Sequence, residues 1–129
     1  MTRGATTDGG AKRVAAVDCG TNSIRLLISD VDSAGALSDV RREMRVVRLG
    51  QGVDATGSLA PEAIERTRVA LSEYADMIRD TGATAVRMVA TSATRDAANR
   101  EDFFAMTREV LGAVIAGAEA EVITGDEEA

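Results

Sequence analysis

The residues of this chain that could do chemistry gather in three places: Asp18 to Arg25, Thr91 to Arg95, and Asp126 to Glu128. In the first, the apolar run Val14-Ala15-Ala16-Val17 ends in Asp18, and a second apolar run leaves Ser23. The segment between them, Gly20-Thr21-Asn22-Ser23, reads as the turn of a β-hairpin. It presents small polar side chains beside backbone amides that a ligand can approach closely, because Gly20 has no side chain. Amides and hydroxyls grouped in this way make a concavity suited to phosphate oxygens. Asp18 at the strand tip could hold a hydrated Mg²⁺, which keeps most of its waters and needs few protein carboxylates. An ordinary hairpin with a polar turn has the same composition, so the turn alone leaves both readings open.

The second place, Thr91-Ser92-Ala93-Thr94-Arg95, follows the apolar run 83–90. Ligands of open α/β sheets collect beyond the carboxyl ends of strands, where Arg95 could fork onto phosphate oxygens. A solvated arginine on a surface turn is the competing reading. The phosphate role is favoured because Arg95 and the first turn should project from one sheet edge. In the third place, Asp126-Glu127-Glu128 is most simply an acidic helix N-terminus stabilised by the helix dipole. One further spacing needs weighing. Cys19 and Arg25 stand as C-x5-R, the arrangement of phosphatases that attack phosphorus with a thiolate. Asp18 beside the thiol opposes thiolate formation, and 24–31 reads as strand where that mechanism wants a helix N-terminus.

Composition narrows the field. With no histidine among 129 residues, His-based acid–base catalysis, phosphohistidine chemistry and His metal sites are excluded. A single cysteine excludes an internal disulfide, so nothing points to an oxidising compartment. No secretory h-region and no apolar run of membrane-spanning length occur, which makes a cytoplasmic location the expectation. A net charge of −6 argues against a nucleic-acid or membrane-surface binder, although a local arginine cluster can still receive an anion. The P-loop and dinucleotide-binding glycine fingerprints are absent.

These residues need a scaffold. Residues 1–12 are expected to be a disordered tail, and 13–129 one α/β domain. Strands are predicted over 13–18, 23–31, 36–49, 83–90 and 119–124. The unbroken apolar character of the first suits a central strand covered on both faces. The arginine-rich third, with Arg41, Arg42, Arg45 and Arg48, suits an edge. Gly50-Gln51-Gly52 reads as a flexible loop. Helices are predicted over 61–80 and 100–116. In the first, Pro61 stands at the first helical position, Ile64, Leu71, Tyr74, Ala75 and Ile78 form one stripe, and Gly82 caps the end. In the second, Asn99 is the N-cap, Phe103, Thr107, Val110, Leu111 and Val114 form the stripe, and Gly117 ends the helix.

The stretch Asp18-Cys19-Gly20-Thr21-Asn22-Ser23-Ile24-Arg25 resembles the first phosphate loop of the actin-like ATPase superfamily. Its Asn-Ser-x-Arg continuation is similar, more narrowly, to the exopolyphosphatase/guanosine-pentaphosphate phosphatase family. Ala90-Thr91-Ser92-Ala93-Thr94-Arg95 with Asn99 resembles that family's A-T-x-A-x-R-x-A-x-N motif. Thr124-Gly125-Asp126-Glu127-Glu128-Ala129 resembles its S-G-x-E-E-A, with Thr for Ser. The resemblance implies an actin-like, ribonuclease H-like domain with a five-stranded mixed sheet in the order 3-2-1-4-5, flanked by helices, with strand two antiparallel to its neighbours. It implies the N-terminal half of a domain pair, truncated before the second phosphate loop.

Its implied activity is hydrolysis of terminal phosphoanhydride bonds of inorganic polyphosphate or guanosine pentaphosphate, releasing orthophosphate with Mg²⁺. Glu128 would be the general base for the attacking water. Gly20, Thr21, Asn22, Ser23, Arg25 and Arg95 would bind phosphate, and Asp18 the metal, through water. The full-length protein is expected to be a homodimer, and this chain alone inactive. A non-catalytic alarmone or polyphosphate binder and an actin-like sugar kinase are the alternatives.

Overall fold

The structure is a computed structural model that describes residues 12–91, 94 and 96–122, the side chains of Asp54 and Val122 excepted. Two antiparallel hairpins open the chain: β1 (Lys12–Cys19), β2 (Ser23–Val31) and β3 (Leu37–Val46). A four-residue helix α1 (Val53–Thr56) and the long helix α2 (Pro61–Thr81) follow. Then come β4 (Ala85–Ala90), α3 (Arg100–Gly112) and β5 (Ala120–Val122). The sheet order is β3-β2-β1-β4-β5. β2 is antiparallel to both neighbours, and β4 and β5 run parallel to β1. The five-stranded mixed sheet thus has the expected order and strand sense.

Pairing register explains the core. Leu26, Val17, Met88 and Ala120 stand opposite one another across four strands, and all four are buried. Because side chains alternate along a strand, the adjacent row Met44, Arg25, Asp18, Val89 and Glu121 faces the other way. On the buried face, Ile24, Leu26, Ile28 and Met88 pack with Leu71, Tyr74 and Ile78 of α2 and with Phe103 and Leu111 of α3. Each such aliphatic side chain removed from water contributes about 1.5–3 kcal/mol. The expectation that β1 is covered on both faces is not met. Ala16 and Asp18 are exposed, since the described long helices pack on the Ala15, Val17 and Cys19 side.

α2 forms as its sequence dictates. Pro61 opens it with Glu62 in the first turn, matching the dipole and needing no amide partner. Gly82, at φ 77°, closes it by donating to Arg79 O. The buried stripe is Ala63, Thr67, Ala70, Leu71, Tyr74, Ala75 and Ile78, with Ile64 only half-buried.

Elsewhere the element bounds shift. Lys12 belongs to β1 rather than to a tail. β3 ends at Val46 because Arg48 turns left-handed, at φ 53°. α3 stops at Gly112, and the chain reverses through Gly117, at φ 82°. Met106 joins the buried stripe of α3, while Val110 and Val114 lie at its margin. Asn99 holds the position before α3, but its side chain does not cap the helix. The tail expected over 1–12 falls, for residues 1–11, outside the described residues.

Candidate functional site

The turn between β1 and β2 is closed by Gly20 N, which donates to Ser23 O at 2.9 Å. Its other carbonyls are taken up from outside. Thr21 O accepts from Gly50 N at 2.9 Å, and Asn22 O accepts from both Val47 N and Arg48 N at 2.9 Å. The left-handed Arg48 lets two successive amides meet one carbonyl. A trans peptide directs its C=O and the following N–H in opposite senses, so the Asn22 amide points away from the 47–50 segment. The amides of Thr21 and Asn22 have no acceptor among the described residues, and both side chains are exposed. The turn therefore offers donors to solvent while its acceptors are held by the protein.

The 47–51 segment is itself fixed from α2. Arg66 Nε donates to Val47 O at 2.8 Å, and Arg66 Nη2 donates to Gln51 Oε1 at 2.6 Å. Behind the turn, Tyr74 Oη donates to Ile24 O at 2.8 Å. Burial pushes the Tyr74 phenol up to about 12, so it stays a hydrogen-bond donor. Arg45 forms an ion pair with Glu73 and lies 6.0 Å from the Tyr74 ring centroid. Neither Arg66 nor Tyr74 was singled out by the sequence for this site. Their signal, a polar group on the sheet-facing side of a helix, is indistinct from ordinary amphipathic patterning.

Asp18 and Arg25 are direct cross-strand partners on the open face. They line a shallow hollow of about 590 Å³ with Ala16, Leu27, Arg42 and Met44. Gly20, Thr21, Asn22 and Ser23 form the rim of the same strand ends. The end of β4 reaches this edge too: Cys19 pairs with Ala90, and Thr91 N donates to Cys19 O at 3.3 Å. Ala90 in turn pairs with Val122 of β5. Thr91 Oγ1 and Thr94 Oγ1 are buried without a hydrogen-bond partner among the described residues. Downstream, Asn99 receives Leu59 N at 2.8 Å and donates to Leu59 O at 2.9 Å. Its amide thus ties the chain after β4 to the loop before α2. Arg95 and Glu128 lie outside the described residues.

The C-x5-R reading fails on geometry. Cys19 is fully buried beneath the sheet and paired with Ile24, whereas Arg25 faces the open side. Burial, and then the nearby Asp18 charge, push the thiol up to about 12, so no thiolate is available at neutral pH. For a cation, the described residues contain no cluster of three acidic, Cys or His side chains. Asp18 is the single carboxylate of this strand end among the described residues, across from Arg25, which fits an ion that keeps its waters and takes other oxygens from phosphate. Among the described residues, no helix is long and apolar enough to cross a membrane.

A profile of the Ppx/GppA phosphatase family matches residues 27–129. The chain is 66% identical over 120 residues to Exopolyphosphatase 2 of Mycobacterium tuberculosis, covering 91% of this chain and 38% of that protein. It superposes on the crystal structure of an exopolyphosphatase-like protein with a TM-score of 0.84 at 47% identity, covering 93% of this chain and 35% of the other. A Ppx/GppA family member from Aquifex aeolicus gives a TM-score of 0.80 at 36% identity, over 92% of this chain and 37% of that one. The chain thus spans little more than a third of the length of these relatives. The profile match, the identity and the shared sheet agree with the motifs at 18–25 and 90–99: the chain belongs to the Ppx/GppA phosphatase family.

Proposed function

We propose that this chain is the phosphate-gripping part of a hydrolase that cuts terminal phosphoanhydride bonds of inorganic polyphosphate or guanosine pentaphosphate and releases orthophosphate. The observation that carries the proposal is the Gly20–Ser23 turn. Its Thr21 and Asn22 carbonyls are tied down by the 47–50 segment, and the amides and side chains of these two residues are left facing solvent. Family membership and the printed names of the relatives support the phosphoanhydride substrate.

In this reading Gly20, Thr21, Asn22 and Ser23 surround the terminal phosphate, and Arg25 and Arg95 neutralise its charge. Phosphoryl transfer rests mostly on positioning and charge neutralisation, so one aimed base suffices. Glu128 is that base: it accepts a proton from the water whose oxygen bonds to the terminal phosphorus in line while the bridging P–O bond opposite breaks; the shortened phosphate chain leaves on the bridging oxygen, orthophosphate is released, and the proton returns to solvent. Asp18 would hold Mg²⁺ through water, and bound Mg²⁺ would supply further neutralisation of the phosphate oxygens.

The test is phosphate release by a protein of the relatives' length that carries this chain, compared with its Glu128→Ala variant. Turnover is expected to fall by about 10²–10⁴-fold, with tripolyphosphate binding retained. Binding without any turnover in the unsubstituted protein would make it a non-catalytic binder instead. The 129-residue chain alone is expected to release no phosphate, and chelation of Mg²⁺ is expected to stop the longer protein.

A further inference from the structure

Five described glycines, Gly35, Gly52, Gly57, Gly82 and Gly117, occupy positive φ, where side chains are disfavoured. Gly50 does not. Its backbone is open to any L-residue, so glycine there needs another reason. The reason lies across the loop. A methyl group built on Gly50 would run into Thr21 Cγ2 far inside van der Waals contact and would reach 3.5 Å from Thr21 O. Gly50 N already donates to Thr21 O at 2.9 Å. The Thr21 methyl therefore lies against the bare Cα of Gly50, and the 47–51 segment that carries this glycine is clamped to α2 through Arg66.

We propose that Gly50 is a positioning residue for the anion-binding turn: its missing side chain selects the χ1 rotamer of Thr21, and so the direction in which the Thr21 hydroxyl points. This rests on reading the Gly20–Ser23 turn as a phosphate site. A β-branched residue has its two γ substituents fixed relative to each other. With the methyl seated on Gly50, the chirality at Cβ leaves the hydroxyl a single staggered position. A side chain at 50 evicts the methyl, and the hydroxyl turns with it. The main-chain hydrogen bond from residue 50 needs no glycine and survives.

The experiment uses the 129-residue chain, with Gly50→Ala, Thr21→Ser and the double variant beside it. Three-bond couplings and nuclear Overhauser contacts read the Thr21 rotamer, and amide shifts at Thr21, Asn22 and Ser23 read binding of inorganic tripolyphosphate. Unsubstituted chain is expected to show a single Thr21 rotamer with its methyl against Gly50 Hα. Gly50→Ala is expected to shift that rotamer and weaken tripolyphosphate about tenfold, the loss of one hydrogen bond to a charged group, with melting little changed. In the Thr21→Ser background, which lacks the methyl, Gly50→Ala is expected to change affinity little. Rotamer averaging in the unsubstituted chain overturns the proposal. So does a tenfold loss that persists in the Thr21→Ser background, or full affinity in Gly50→Ala. If tripolyphosphate moves none of the three amides while the rotamer result holds, the phosphate reading of the turn fails and the packing of Thr21 on Gly50 stands.

Discussion

The two hairpin turns of the meander are built in opposite ways. The β2–β3 turn satisfies itself. Asp32 Oδ1 accepts from Ala34 N and Ala36 N, both at 2.9 Å, Asp32 N donates to Ala36 O, and Gly35 N donates to Asp32 O. The amides of Asp32, Ala34, Gly35 and Ala36 are all used locally. The β1–β2 turn makes one such bond, from Gly20 N to Ser23 O, and borrows the rest from residues 47–50. A turn that only reverses the chain consumes its own donors. A turn held in shape from outside leaves the amides of Thr21 and Asn22 without an acceptor among the described residues.

Matched substitutions separate the two turns. Asn22→Ala should weaken tripolyphosphate by about 10–100-fold, as expected for charged hydrogen bonds worth about 1.5–3 kcal/mol, while melting stays put. Asp32→Ala should do the reverse, costing about 0.5–1.5 kcal/mol of stability with binding unchanged. If titration calorimetry and thermal melts show both variants losing stability and neither losing affinity, the contrast between the turns is void. Next in size, Tyr74→Phe removes the donor to Ile24 O, one residue past the site turn. Denaturant midpoints should report a loss of about 0.5–1.5 kcal/mol for the lost hydrogen bond.

Smaller still is the effect at Cys19. Cys19→Ser should leave phosphate release by the longer protein near normal, and alkylating reagents should label the native thiol slowly at pH 8. Abolished turnover would restore the thiolate mechanism. The last effect is pH dependence. The Cys19 thiol rises from 9.0 and the Tyr74 phenol from 10.0, each to about 12. Both are acids whose neutral form is favoured by folding. Their contribution is whole below pH 9 and is lost as pH climbs from about 9 to about 12. Stability that stayed flat across that window would show both groups to be solvated.

Much of this was readable beforehand, and the exceptions have a common cause. The β1–β2 turn was readable, because Gly-Thr-Asn-Ser stands between two apolar runs, but its phosphate role came with the family resemblance and not from the turn itself. α2 was readable too, through Pro61, its stripe and Gly82. The strand order came with the family resemblance rather than from periodicity. The support of the site turn was not legible, because it is made by main-chain amides of Val47, Arg48 and Gly50, which carry no side-chain signature. α1 is a single turn between two left-handed glycines, Gly52 and Gly57, too short to set up a period. Asn99 looked like a helix cap, yet its amide found a better match in both main-chain groups of Leu59. The run Val14–Val17 looked doubly buried, because small apolar residues do not reveal which face is covered.

The strand order also has a temporal meaning. β1, β2 and β3 join through neighbours in sequence, so the meander can form from short loops. β4 reaches β1 by pairing Val14 with Ala85, and closing so long a loop is slow. Pulse-labelled amides of β2 are therefore expected to become protected before those of β4. The rim that would meet phosphate is shaped first, and the parallel half of the sheet arrives at a pocket wall already standing.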